Sequence, residues 1–420
     1  VHQRLARTII RSAKRLTYLE AQSLIDGDTK GARRHARTEA IYDDNLMDAL
    51  NQANRLAKVI RKRRLADGML VLSLPEFELV FNDDGHVVDA VPEDDAFTHT
   101  IIEMFMVEAN EAVARTFAGL DVPLLRRTHP DPSFHDVSEL REYARIIGFN
   151  LPEEPDRRDI KSLLDATRDS PASRAIHFSV LRTLTKATYS PATIGHFALA
   201  SVHYAHFTSP IRRYPDLAVH RVIEAFLDHT ENGKKIPGGR SRIKLKRILD
   251  SDIRVVDFAP LTELGNHCSE TEVNAEQAER DLRTHLVLEF LHQNHLGDVF
   301  DAVVTNVTPA GLIFTSIDRF LVDGVARAFE AVGSDGRADR WKEDGRSGRL
   351  VAQGSGASIG LGDSVKVKIM RVDSASRMLD VAIVEFTHRA PMVAQERGQG
   401  RGRGRHTGPL NRKSGKGKNK

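Results

Sequence analysis

Apolar side chains recur at helical spacing through most of the first 290 residues and at alternate positions after that. Leu5, Ile9, Ala13, Leu16, Leu19 and Leu24 predict a helix-forming segment over residues 1–27. Residues 44–66 read as a second, strongly basic helix ending in Arg61-Lys62-Arg63-Arg64. Phe77 to Val91 alternates around Asp83-Asp84-Gly85, the pattern of a hairpin. Ile101, Phe105, Ala109, Val113 and Phe117 fall near one face of a helix over Phe97 to Phe117. Shorter helices are expected at about 136–147, 158–167 and 172–186, and further ones over 241–257 and 269–292. These elements make a helix-rich α+β unit that ends near residue 294.

Beyond it, Val299, Val303, Val304, Val307, Ile313 and Phe314 mark strand-like runs broken by Pro309 and Gly311. Val365, Val367, Ile369, Val372, Leu379 and Val381 form a second alternating set. Short strands closed by turns predict a small β-barrel. Residues 333–360, rich in Gly, Ser and charge, read as a long loop between the two sets. Arg397 to Lys420 has no core-forming pattern and is expected to be disordered.

The chain has 420 residues, enough for two or three domains with a sizeable core. No apolar run approaches the roughly 18 residues that a membrane-spanning helix needs. Val1-His2-Gln3-Arg4 is not the start of an apolar signal region. Cys268 is the single cysteine, which excludes an internal disulfide and a zinc cluster built on cysteines. A cytoplasmic protein without membrane attachment is the expectation. The net charge of +3 conceals an asymmetry. Residues 391–420 carry nine Lys or Arg against Glu396 alone, or +8, while the rest holds 52 basic and 57 acidic side chains, or −5. A basic tail of this kind favours a polyanion, with strong salt dependence.

The most specific string is His206-Phe207-Thr208-Ser209-Pro210-Ile211-Arg212-Arg213-Tyr214-Pro215-Asp216-Leu217, which runs into the apolar helical set Val219, Val222, Ile223, Phe226 and Leu227. Two arginines thus flank a helix start, where free N–H groups and the positive end of the dipole favour an anion. Arg adds a fork of donors that grips two phosphate oxygens at once. A capped helix with solvated arginines is the competing reading.

With its neighbours Gly195-His196-Phe197-Ala198-Leu199-Ala200 and Tyr204-Ala205, this string resembles the signature of the RNB catalytic domain of the ribonuclease II and ribonuclease R exoribonucleases. Gly297-Asp298-Val299-Phe300 and the run Val304 to Thr308 resemble the OB-fold RNA-binding domain named for ribosomal protein S-one. The resemblance implies an α+β fold: the C-terminal part of an RNB domain at 1–294, with its N-terminal part missing, then the OB-fold barrel at 295–387 and a basic tail at 388–420. It implies hydrolysis of single-stranded RNA from the 3′ end to nucleoside 5′-monophosphates, in RNA turnover, by a monomer. Arg212 matches the family's catalytic arginine, and Arg213 is either structural or a neighbouring phosphate contact. Tyr18 matches a tyrosine beside the 3′-terminal nucleotide, Glu103 a glutamate facing the terminal ribose, and Glu279 an acid near the 3′ end. Phe314 is the one aromatic around Gly311 in the second barrel strand, and Phe320 is a further candidate for contact with bases. Base stacking contributes roughly 1–3 kcal/mol per base.

The resemblance also implies magnesium, which takes hard oxygen ligands. The family's aspartate cluster lies upstream of the segment holding Tyr18, and this chain begins seventeen residues before Tyr18. Asp43-Asp44, Asp83-Asp84 and Asp94-Asp95 lack the family's context, and Asp83-Asp84-Gly85 is a turn. No metal ligand is therefore assigned within the chain. The leading expectation is a portion of an exoribonuclease that is incomplete by itself. The alternatives are a non-catalytic RNA-binding protein and one chain of a split exoribonuclease.

Overall fold

The structure, a computed structural model, describes residues 3–74, 76–168, 170, 173–235, 238–328, 340–344, 349–354 and 356–388. Of the tail at 388–420, expected to be disordered, residues 389–420 lie outside the described residues.

The chain opens with α1 (Tyr18–Ile25), α2 (Thr29–His35) and α3 (Asp44–Ala66), followed by the hairpin β1 (Phe77–Phe81) and β2 (Val87–Pro92). Next come α4 (Phe97–Leu120), β3 (Arg126–Thr128), α5 (Phe134–Ile146), α6 (Arg157–Thr167), α7 (Ser173–Thr183) and β4 (Thr188–Ser190). The helices α8 (Tyr214–His229), α9 (Arg240–Asp250) and α10 (Phe258–Asn294) complete this part. The strands β5 (Val299–Val307), β6 (Leu312–Ile317), β7 (Val322–Arg327), β11 (Ser364–Asp373) and β12 (Met378–His388) close a barrel in the order β11-β12-β7-β6-β5.

Local chemistry sets several boundaries. Thr17 and Glu20 form a capping box, so α1 begins at Tyr18. Asp43 caps α3 by accepting from the Leu46 N–H at 2.7 Å. Asp121, in the left-handed conformation at φ 57°, ends α4.

Phe117 and Phe226 pack edge to face at 5.8 Å between α4 and α8, in the cluster that also buries Leu245 and Leu249 of α9. α10 links the two halves. Its early residues Leu261 and Cys268 pack against Leu125 and Tyr189, and its late residues Val287, Leu288, Phe290 and Leu291 merge into the barrel core. That core continues into Phe77 and Ala90 of the hairpin.

Four expectations are corrected. Residues 3–17 are not helical: Ile9 and Ile10 are exposed, and only Leu5 of this stretch packs on the α4–α8 core. The segment is tied down instead by Gln3 donating to the Ala112 carbonyl at 2.9 Å and by Arg7 donating to Asp228 at 2.8 Å. α10 begins at Phe258, earlier than residue 269, because Pro260 falls in the first helical turn, where its missing N–H costs nothing. α9 stops at Asp250, short of residue 257. Finally, the expected loop 333–360 contains a three-stranded sheet, β8 (Trp341–Asp344), β9 (Arg349–Ala352) and β10 (Ser358–Ile359), with Leu350, Ala352 and Ile359 buried.

Candidate active site around the arginine turn

The segment before α8 folds into a tight turn. The N–H groups of Arg212 and Arg213 donate to the Ser209 carbonyl at 3.3 and 3.1 Å. Asp216, in the first turn of α8, is wholly buried. One of its oxygens accepts from the Ser209 N–H and from Arg213 Nη2, each at 2.8 Å. The turn is thus closed by a carboxylate that also holds Arg213 inward. Arg213, expected among the substrate contacts, is committed to this brace with a mostly buried side chain. Arg212 projects outward and is exposed, with no hydrogen bond or ion pair from its guanidinium among the described residues.

α4 supports the turn from one side. Asn110 is wholly buried; its side-chain Oδ1 accepts from the Phe207 N–H at 3.0 Å, and its Nδ2 donates to the Tyr204 hydroxyl at 3.1 Å. From α8, His220 contacts the Phe207 carbonyl at 2.7 Å.

Behind the turn stands a column of rings: His129, His196, Tyr204, His206 and Tyr189, with successive centroids 4.8, 5.3, 5.5 and 5.8 Å apart. The Tyr189 hydroxyl meets His206 Nδ1 at 3.1 Å. Arg127 lies over the Tyr189 ring at 4.5 Å and pairs with Glu272 of α10. Gly265 lets α10 approach β4, since a Cβ there would collide with the Tyr189 carbonyl. Burial, then the charges of Arg213 and Arg127, pushes His206 down to about 3. Burial, then His129 and Arg127, does the same to His196. Burial pushes the Tyr189 hydroxyl up to about 12. The column is neutral at ordinary pH and holds the turn by packing and hydrogen bonds. Sequence reasoning assigned these residues no role; His196, Tyr204 and His206 stood inside the quoted strings, but nothing in their spacing signals a stack.

Tyr18 is exposed at the start of α1, its ring stacked on His99 at 3.7 Å. The Thr98 hydroxyl donates to the Tyr18 carbonyl at 2.9 Å, fixing α1 to α4. Glu103 lies one helical turn beyond His99 and so shares its face of α4. Glu103 reaches solvent but is hemmed in, and burial raises its pKa against the pull of Arg61 and Arg64. Burial raises the pKa of the Tyr204 hydroxyl against the Asn110 hydrogen bond and the charges of Arg213 and Arg64. α4 thus carries Thr98, which fixes Tyr18, then Glu103, and then Asn110, which supports the arginine turn.

The other candidates lie on α10 and in the barrel. Glu279 is exposed on α10, seven residues and about 10 Å along the helix from Glu272. Phe314 is half-buried on β6, opposite Asn306 and Val325. Phe320 is wholly buried among Phe290, His295 and Phe300. Its faces are covered by the barrel core, which corrects the expectation that it contacts bases.

Among the described residues no group of three or more His, Cys, Asp or Glu side chains is placed to hold a metal ion. The residues present do not fit a magnesium site. No helix among the described residues is long and apolar enough to cross a membrane.

The sequence profile of the RNB domain matches residues 1–229, and the chain belongs to the RNB family. It is 30% identical to ribonuclease R of Aquifex aeolicus over 380 residues, covering 90% of this chain and 49% of that protein. It is also 30% identical to ribonuclease R of Escherichia coli over 389 residues, covering 91% of this chain and 44% of that one. The chain thus spans about half the length of the curated relatives it matches. Among solved structures it is similar to the apo form of Mycoplasma genitalium RNase R, with a TM-score of 0.68 and 25% identity over 86% of this chain and 53% of that one. The same enzyme in complex with ribose-methylated single-stranded RNA gives a TM-score of 0.66 at the same identity and coverage.

Proposed function

We propose that this chain is the phosphate-gripping and 3′-end-holding portion of a 3′-to-5′ exoribonuclease that degrades single-stranded RNA to nucleoside 5′-monophosphates. The observation that carries the reading is the arginine turn: Arg213 is braced inward by buried Asp216, and Arg212 is presented outward without a partner among the described residues. An exposed guanidinium with free donors suits charge developing on a phosphoryl group. In this reading Arg212 contacts the scissile phosphate, the Tyr18 ring stacks beside the terminal base, and Glu103 faces the terminal ribose. Glu279 lies further along the strand's path, and Phe314 offers its half-exposed ring to a base. The barrel acts as an OB-fold that guides RNA, and the protein works as a cytoplasmic monomer.

The resemblance implies magnesium. The described residues supply no site for it, so its ligands come from outside them. The relative solved with single-stranded RNA supports the choice of polymer.

The test is digestion of a 5′-labelled single-stranded RNA by the native protein from its own cells, with the 420-residue chain alongside. The native protein should shorten the RNA one nucleotide at a time from the 3′ end. The 420-residue chain should bind the RNA and shorten it little. Internal cuts by the native protein, or full magnesium-dependent shortening by the 420-residue chain, contradict the proposal.

A further inference from the structure

Alternation along β3 sends Arg126 and Thr128 to one face and Arg127 to the other. The two neighbouring arginines meet opposite fates. Arg127 has Glu272 and the Tyr189 ring. Arg126 is only 4% exposed, yet has no carboxylate partner among the described residues. Of its five N–H donors, one hydrogen-bond contact is made, from Nη1 to the Ala114 carbonyl at a long 3.3 Å. Its Nε is buried with no partner. Burial lowers its pKa with no acid opposing the shift. A buried guanidinium left this unsatisfied is costly to the fold, and each such group calls for an explanation.

Arg126 lines a cavity of about 880 Å³ between the end of α4, the start of β3, residues 191–193 and the near ends of α9 and α10. Arg115, His203 and Lys246 line it too. His203 lines the same cavity wall as Arg126 and Arg115 and has its Nδ1 buried without a partner; burial, then the charges of Arg126 and Arg115, lower its pKa. Arg115 has only a 3.6 Å contact to Glu111, and Lys246 pairs with Asp250 at 3.0 Å. Asp121 is the carboxylate among the lining residues; it turns outward at 88% exposure, 3.8 Å from Lys246. Val122, Pro123 and Phe258 give the cavity an apolar wall. Its volume lies within the roughly 300–1,000 Å³ of small-molecule sites.

We infer that this cavity binds a phosphate ester of mononucleotide size, with the Arg126 guanidinium gripping the phosphate, Arg115 and His203 closing on it, and the base lying against Phe258 and Pro123. Arg126 has no carboxylate partner among the described residues and Arg115 only the long contact to Glu111, so a phosphate monoester carrying about −1.5 to −2 charge matches them better than a lone carboxylate. The cavity opens at the C-terminal end of α4, whereas Tyr18 and Glu103 sit towards its N-terminal end. It is a second site, and the inference does not depend on the exoribonuclease reading.

Calorimetric titration of the full chain with AMP, inorganic phosphate and adenosine tests this. AMP should bind saturably, inorganic phosphate more weakly, and adenosine not measurably. Arg126→Gln should weaken AMP binding about tenfold or more without lowering the melting temperature, because it removes an unpaired buried charge. Arg115→Gln at the rim, which threatens the fold less, should weaken it by a smaller factor. The loss caused by Arg126→Gln should be the same in an Arg212→Ala background, which removes any AMP held at the arginine turn. Absence of AMP binding, equal binding of adenosine, or an unchanged affinity in both the Arg126 and Arg115 variants would overturn the assignment.

Discussion

Asp216 and Arg213 form an ion pair at 2.8 Å with the carboxylate wholly buried, and that pair closes the turn from which Arg212 projects. The same carboxylate oxygen takes the Ser209 N–H, so one group fixes both ends of the turn. Removing its charge leaves the largely buried Arg213 without a counter-ion. Asp216→Asn is expected to cost about 1–3 kcal/mol of stability, read from the urea unfolding midpoint. A midpoint equal to that of the unaltered protein would show that the brace contributes nothing.

The ring column predicts acid sensitivity. His196 and His206 each fall from 6.5 to about 3, so the native rings stay neutral while unfolded histidines take up protons below 6.5. The unfolded state binds more protons between those values. The stability is therefore fully present above 6.5 and is lost as pH falls towards 3, at about 1.4 kcal/mol per pH unit for each ring. His129, His177 and His203 shift in the same direction. Urea midpoints measured between about pH 7.5 and 4.5 should drop steadily, and His206→Asn should make the slope shallower by about one proton. A flat profile through that window would rule out a buried neutral column.

The two barrel phenylalanines separate packing from binding. Phe320→Ala should destabilise the protein by about 3–5 kcal/mol, since it empties a filled core site. Phe314→Ala should leave the unfolding midpoint nearly unchanged and weaken RNA binding by about 1–3 kcal/mol. Filter binding and thermal melts on both variants read the difference; an RNA defect without a stability loss in Phe320→Ala would reverse the assignment.

Deleting residues 391–420 removes nine cations and one acid. RNA affinity should fall, and the slope of log affinity against log salt should flatten, because fewer counter-ions are released on binding. An unchanged slope would mean that the stretch does not touch the polymer.

Much of the fold was legible because its signals are local. α3, the hairpin, α4 and α6 carry their periodicity and their capping or turn residues within one window, as at Asp43 and Asp156. The arginine turn was legible as a chemistry, two cations at a helix start, but not in its division of labour. That division depends on Asp216 folding back three residues onto Arg213. The segment 3–17 has helical spacing but no surface for Ile9 to pack on, and its polar groups bond to α4 and to residues 228–232 instead. The ring column joins His129 to four rings of the 189–206 segment, whose irregular spacing follows neither helical nor strand periodicity. Phe320 stands next to a barrel turn, where sequence cannot tell a core ring from an exposed one.

The most direct measurement is a single-turnover digestion of 5′-labelled single-stranded RNA by the native protein and its Arg212→Ala variant, with RNA affinity measured on both. The account predicts a one-nucleotide ladder from the 3′ end, slowed about a hundredfold or more by the substitution, with affinity changed only a few fold, since the contact matters most in the transition state. An unslowed ladder, or a loss of affinity that matches the loss of rate, would contradict it.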